Sequence, residues 1–346
     1  MYNNIKLEKG LYNLSGKSFS TALEELDPSA NYCGTPLANL DAFERQLKRF
    51  NIKVSGTDCD RVEKFFSSTE TALLFPEFVT RCIRKGFDET VLSSICAVKS
   101  YSVSKHYMGC TLTDTADYSS VNEGGELPAS TVNETSTATQ LLKYGRIINA
   151  SYESVRQQRL DVIGVMLRSI GVKLAVSVLT NAITTLATGA SSISTSSLSY
   201  SDLASLYGQF NCFDMTTVIA SPAVASQIAV MEQLSDTKIS EDGKIILPFG
   251  SELIKTSAIG NNSIIGIDKN FALEFITSTD LVIETDKLIN RQLDQITVSI
   301  ICGFKKITAD AVKVLTITSS NSDSDSSSDS SSDSSSDSGS DSGSGT

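Results

Sequence analysis

Histidine is almost missing from this chain: His106 is the only one among 346 residues. A zinc site needs about four nitrogen or sulfur ligands at short spacings, and one imidazole among dispersed thiols cannot supply them. Cys96 and Cys110 lie near His106 in sequence. A cysteine nucleophile also needs an orienting acid and an oxyanion site, and no pattern around them provides either. His106 therefore reads as a strand residue. The seven cysteines are scattered and never spaced C-x-x-C, which excludes a disulfide framework and points to reduced, mostly buried thiols. Basic excess is missing too. The net charge is −11, and because six of the acids are aspartates of the C-terminal tail, the remaining body carries −5. Free association with nucleic acid through a basic patch is therefore not indicated, since gripping phosphates needs clustered Lys/Arg. The first ten residues lack the apolar core of a signal peptide, and Lys173 interrupts the best apolar run. The expectation is a soluble chain made in a cytoplasm, with no membrane span.

Proline is missing between Pro128 and Pro222, and that gap frames what is present. The stretch opens with the turn Glu123-Gly124-Gly125-Glu126-Leu127-Pro128 and runs through a Ser/Thr-rich segment into a long helical pattern. Val155, Val162, Met166, Ile170, Leu174, Val178 and Ile183 recur at spacings of mostly four, and Ile163, Leu167 and Leu179 widen the stripe. That predicts a helix with a broad apolar face. Over residues 161–186 it would be roughly 40 Å long, so something extended must pack along it. Gly164 and Gly171, one heptad apart, cost helix propensity and mark close packing.

Residues 1–65 read as a polar arm with short helices. Its Phe43, Leu47 and Phe50 stripe is too short to stand alone in water and is expected to lie on a neighbouring surface. Phe75-Pro76-Glu77-Phe78 marks a helix start, with proline in the first turn. From 95 to 148 the pattern turns to strands, around Val98, Tyr101 and Val103 and again at 143–148. Some forty residues between them carry few large apolar side chains, which suits an extended two-stranded arm rather than a compact domain. Residues 190–250 read as a small α/β block containing the buried strand Thr217-Val218-Ile219-Ala220. Residues 251–318 read as strands, with Ile296, Val298, Ile300, Cys302 and Phe304 on one face.

Three short patterns invite chemistry and do not sustain it. Residues 10–18 end in Gly16-Lys17-Ser18 like a phosphate loop, but the first glycine is one residue too distant and no apolar strand precedes it. Asp58-Cys59-Asp60 and the tail aspartates lack the glycine and closing glutamate of a calcium loop. Glu123 and Glu126 form a carboxylate pair only in sequence, since the flanking glycines and proline make a turn first. No catalytic, cofactor-binding or metal-binding constellation emerges, and the chain does not read as an enzyme.

The turn at 122–130, the strand after it and Ala150-Ser151 opening a helix together resemble the major capsid proteins of tailed bacteriophages and prophages with the HK97-like fold. Phe65-Phe66 through Val79, Asp268-Lys269-Asn270-Phe271-Ala272 and Gly303-Phe304 follow in the family's order, so the resemblance covers roughly 40–318. It implies an α+β chain with an N-terminal arm (1–65), a peripheral domain (66–95, a spine helix at 149–189, a sheet at 251–318), an extended loop (96–148) and an axial domain (190–250). It also implies self-assembly into pentamers and hexamers of an icosahedral shell that encloses double-stranded DNA without sequence-specific binding. Portal and scaffolding partners, assembly in a host bacterial cytoplasm and residence in the virion follow, with no cofactor. A cargo-holding encapsulin shell is the other reading. The expected subunit-interface residues are Glu123, Gly124, Gly125, Glu126, Pro128, Phe43, Leu47 and Phe50. Only about 65 residues precede the matching region, so either scaffolding is a separate protein or the short arm suffices. Some relatives cross-link through lysine; Lys99, Lys105 and Lys143 lie in the loop and read as solvated.

Residues 319–346 hold only Ser, Asp, Gly, Asn and Thr. Such a segment cannot repay its ordering entropy and is expected to be disordered. It resembles Ser-Asp surface stalks in composition alone. Six charges per subunit against packaged DNA would be repulsive, so it is expected to project outward. Protease added to intact particles should trim the tail, and full protection of it would contradict that placement.

Overall fold

The described residues among the N-terminal sixty do not reach away from the body. The computed structural model describes residues 5–12, 17–114, 120–234, 238–239, 244–288 and 293–318. The Ser/Asp tail and residues 13–16 of the phosphate-loop-like segment lie outside them. Helix α1 (Phe19–Leu26) is capped by Ser18, whose Oγ accepts from Thr21 N–H at 3.2 Å. Helix α2 (Ala42–Arg49) carries a reciprocal Asp41/Glu44 capping box, which satisfies donors that would otherwise stay unpaired. Leu7, Phe19, Leu23, Ala42, Phe43, Leu47, Ile52, Val62 and Phe65 are all buried in the main core of the chain. The fully buried Arg45 joins the two helices. Its Nε donates to Asp27 Oδ2 at 2.9 Å and its Nη1 to Ser29 Oγ at 3.0 Å, while Tyr32 OH donates to Asp27 Oδ1 at 2.7 Å. The guanidinium also lies 4.5 Å from the Tyr32 ring centroid. A buried pair this well hydrogen-bonded is tolerated, whereas removing one partner would strand the other charge. The arm expected to reach over a neighbour is thus folded onto its own body, because its stripe finds apolar cover there.

Helices α3 (Thr69–Ala72), α4 (Phe75–Asp88) and α5 (Leu92–Ile95) follow, α4 with proline in its first turn as expected. Helix α6 (Tyr152–Arg156) ends before the break at Gln157–Arg159, and α7 (Leu160–Ala187) then runs 28 residues, about 42 Å. Helices α4 and α7 meet backbone to backbone. A Cβ on Gly171 would run into the Ile83 carbonyl oxygen and lie 2.9 Å from Phe87 N, and one on Gly86 would run into the Arg168 carbonyl. Gly164 is different: its Cβ would meet Cys82 Sγ at 3.6 Å, an ordinary contact. Close packing was legible at Gly171, while Gly86 is its unforeseen counterpart.

The expected stripe on α7 holds in its C-terminal half, while in its first half Leu167 is buried but Val162 and Met166 are not. Leu160, Leu167, Gly171, Leu174, Ala175, Val178, Leu179, Ala182, Ile183 and Leu186 are buried, whereas Val162, Val165 and Met166 are exposed. The helix is apolar nearly all round, so periodicity alone could not choose its buried face. By length and composition α7 could also cross a membrane, Lys173 notwithstanding. A third of its most apolar 18-residue window is buried within the chain.

The extended segment leaves through β1 (Val98–Tyr101), then pairs β2 (His106–Tyr107) with β5 (Thr139–Gln140) and β3 (Cys110–Asp114) with β4 (Ser130–Glu134). It returns as β6 (Leu142–Ser151). The second half supplies β7 (Ser191–Thr195), α8 (Tyr200–Gly208), β8 (Thr217–Ala220), α9 (Pro222–Ala229), β9 (Lys238–Ile239) and β10 (Ile245–Ile246). Then come β11 (Glu252–Lys255), β12 (Ser263–Ile267), β13 (Leu273–Thr277), β14 (Val282–Leu288), β15 (Leu293–Lys306) and β16 (Val312–Ile317). Strand β15 is a beam: β13 and β14 pair along one edge and β6 along the other, with β1 parallel to β13. Its Ile296, Val298, Ile300, Cys302 and Phe304 are buried, as the alternation predicted.

The other sheet has the order β7-β16-β12-β8-β11-β10-β9. It therefore draws β11, β12 and β16 out of the 251–318 block that sequence assigned to one sheet, and places β7 within the small-residue connector. Alternate residues serve two cores. Ile219, Ile265 and Val314 face the main core, while Val218, Ile264 and Leu315 join Leu203, Leu206, Val224 and Ile228 from α8 and α9. A strand buried on both faces reads as a continuous apolar run, which is why β8 is buried at every position.

Gly171→Ala should lower the stability of the unassembled chain by about 3 kcal/mol, the upper end of overpacking costs, because backbone rather than a side chain must move. Gly164→Ala should be neutral or stabilising by up to about 1 kcal/mol through helix propensity. Denaturant unfolding followed by circular dichroism separates the two.

Candidate assembly surfaces

The extended segment buries little of itself. In the β3–β4 hairpin, Leu112 stands opposite Val132 in the register, and the two are 62% and 67% exposed. Isolated two-stranded ribbons are marginal in water, so this pair needs cover from elsewhere. Beyond β3 the chain enters the turn that sequence singled out. Gly125 N–H donates to Asn122 O at 2.9 Å, and Gly124 sits at φ +78°. Positive φ at the third position is the type II requirement that favours glycine. Glu123, Gly124, Gly125, Glu126, Leu127 and Pro128 are all exposed there.

The structure separates the residues that sequence grouped as interface candidates. Phe43 and Leu47 are only 3% and 5% exposed within their own chain, so they have no surface left for a neighbour in this conformation. Phe50 is half-buried against the same core, with the Arg49 guanidinium 4.9 Å from its ring centroid. The α2 residues are core because the Arg45 network holds the helix down. A surface missed by sequence reading is the first half of α7, where Val162, Val165 and Met166 stand exposed on a helix whose other side is buried. The stripe through Val162 and Met166 signalled an apolar face but not its direction, and Val165 was not part of it.

The patterns that could have carried chemistry are otherwise engaged. His106 is an exposed strand residue paired with Gln140. Ser18 caps α1 and Lys17 pairs with Glu25 at 2.7 Å, so neither is held in a phosphate cradle. Burial works against the charge on Asp60, but the Lys53 N–H and the Lys64 ammonium at 2.8 Å more than offset it and hold the carboxyl below its usual range. Among the described residues no cluster of three or more His, Cys, Asp or Glu could hold a metal. A hollow of about 650 Å³ beside α8 is lined by Tyr207, Asp214, Lys244, Phe249 and Glu252, with Lys244 and Glu252 paired at 2.9 Å. It presents stacked rings and a neutralised ion pair rather than a nucleophile with a base.

No protein-family profile matches the sequence, and no curated protein matches it. Among solved structures the chain is similar to the virus-like particle from Pyrococcus furiosus, at a TM-score of 0.50 and 13% identity, over 69% of this chain and 98% of that one. The fold is HK97-like. The chain is also similar to a protein of Gordonia phage Cozz (TM-score 0.49, 12% identity, 66% and 86% of the two chains). A third similarity is to the encapsulin complex from Synechococcus elongatus (TM-score 0.47, 12% identity, 64% and 84%).

Within this HK97-like chain the thiols divide sharply. Burial pushes Cys96 and Cys302 up to about 12 and Cys82 up to about 11, whereas Cys33, Cys110 and Cys212 are exposed. Thiolate is the reactive form, so raised thiols stay protonated and inert near neutrality. Iodoacetamide at pH 8 should label Cys33, Cys110 and Cys212 of the folded, unassembled chain and spare Cys82, Cys96 and Cys302 until unfolding. Peptide mass spectrometry reads the result, and early labelling of Cys302 would contradict the packing of β15.

Proposed function

We propose that the chain is the major capsid protein of a tailed bacteriophage or prophage, self-assembling into pentamers and hexamers of an icosahedral shell around double-stranded DNA. The observation that carries this reading is the extended hairpin with its exposed Leu112–Val132 pair, on a fold similar to that of a virus-like particle. The pair is covered when a second copy lies beneath the hairpin, and the exposed Val162, Val165 and Met166 of α7 are apolar surface suited to receive it. At ~25 cal/mol per Å², even ~500 Å² of apolar burial per arm supplies about 10 kcal/mol before entropy costs. Many such contacts in closed symmetry leave no open edge.

In this reading β2–β5 with β3–β4 is the extended loop, α7 is the spine of the peripheral domain, and the seven-stranded sheet with α8 and α9 is the axial domain. The exposed Glu123–Pro128 turn makes subunit contacts at the far part of the loop. The mildly acidic body suits enclosure of DNA without a grip on its bases or phosphates. Portal and scaffolding proteins are the further partners, assembly takes place in a host bacterial cytoplasm, and the virion is the final location.

Electron microscopy of the purified chain should show closed shells built from pentamers and hexamers. Val132→Asp should abolish shells while leaving the circular dichroism melt of the subunit unchanged, since Val132 contributes no core. A chain that stays monomeric at all concentrations would overturn the reading. Uniform shells of 60 copies from cells producing no phage, holding protein cargo and no nuclease-protected DNA, would assign it to the encapsulins instead.

A further inference from the structure

The root of the extended hairpin holds a buried cation that no part of the core requires. Lys305, on β15, is only 8% exposed, and among the described residues it makes no ion pair. Its Nζ donates to Cys110 O at 2.9 Å and to Thr135 Oγ1 at 2.6 Å. Both acceptors are neutral, and both belong to the hairpin rather than the body. Burying a charge against neutral oxygens is costly unless the hydrogen bonds are well made, so these bonds hold the hairpin as firmly as they hold the lysine.

The hairpin is jointed where Lys305 enters. Its ladder comes in two pieces: His106 and Tyr107 pair with Gln140 and Thr139, and residues 110–114 pair with 130–134. Between the pieces, Met108 and Gly109 face the longer run 135–138, so regular pairing is interrupted. The joint is closed by Thr135, whose N–H and Oγ1 both donate to Gly109 O, at 2.7 and 2.6 Å. Gly109 leaves the space that Lys305 fills. A Cβ there would collide with the ammonium and lie 2.6 Å from Lys305 Cδ.

On the near side of the joint the body holds the hairpin a second time. Glu274 stands directly opposite Lys305 in the β13–β15 register, and its Oε1 accepts from Tyr107 OH at 2.8 Å. One cross-strand pair of the fixed sheet therefore grips the ribbon on both sides of its break, the acid below and the base above.

We infer that the Glu274–Lys305 pair is a latch that sets the angle at which the β3–β4 hairpin leaves the body, with Gly109 and Thr135 as the joint it closes. Lys305 is a positioning residue, acting through the hairpin's backbone. The latch is intramolecular and does not depend on the shell reading. Its consequence there would be an arm offered to the next copy at one angle.

Hydrogen exchange on the full-length chain tests this directly. In Lys305→Met, which keeps the length of the side chain, the amides of β3 and β4 should exchange at least about tenfold faster, through the loss of the two charge-assisted hydrogen bonds to Cys110 O and Thr135 Oγ1. Thr135→Val, nearly isosteric, should accelerate the same amides by a smaller factor. Amides of α4 and α7 should not change in either variant. Unchanged exchange in β3 and β4 in both variants would overturn the latch. So would equal acceleration in α4 and α7, which would make Lys305 a general stabiliser of the fold.

Discussion

Everything in this chain hangs on two helices that touch backbone to backbone. Gly86 of α4 sits under the Arg168 carbonyl and Gly171 of α7 under the carbonyl of Ile83. Neither position has room for a methyl group. The close approach interleaves Phe78, Val79 and Ile83 with Leu167, Leu174 and Val178 in one core. Interiors are packed near crystal density, so a spacing set at one point propagates along both helices. The depth of α7 then fixes the shelf on which the β15 beam and the seven-stranded sheet rest.

That sheet divides its side chains between two cores, and the division explains how one fold holds two bodies without a flexible joint. Strands β8, β12 and β16 send alternate residues to α7 on one face and to α8 and α9 on the other. Burial on both faces leaves these strands little freedom to slip in register. The hairpin of β3 and β4 stands outside this arrangement. None of its described residues belongs to either core, and Lys305 and Glu274 give it polar ties to the body. An element tied to the body mainly through its root can be aimed without disturbing the packing behind it.

Much of this was legible locally. The alternation in β15 named its buried face, because a strand has only two faces and one of them was apolar. Phe75-Pro76 announced the start of α4 because proline suits a first turn, and Glu123-Gly124-Gly125 announced a turn, in which the structure puts Gly124 at positive φ. The misses share a cause. The stripe through Val162 and Met166 pointed the wrong way because most faces of α7 are apolar. The arm of residues 1–65 looked polar because Arg45, Asp27 and Gln46 count as polar in sequence, although all three are buried. The block at 251–318 looked like one sheet because its strands are consecutive, whereas pairing sends β11, β12 and β16 one way and β13 to β15 the other.

By itself, then, the sequence determined where most helices and strands lie, where the chain turns, and that one long segment has too little apolar surface to fold alone. These are local properties, settled by periodicity, capping and composition over a few residues. Only the tertiary structure decided which side of α7 is buried, that the first sixty residues close onto the body, which sheet each late strand joins, and where the buried cations Arg45 and Lys305 find their partners. Each of those depends on groups far apart in sequence, and a face or a charge acquires its role only from what is packed against it.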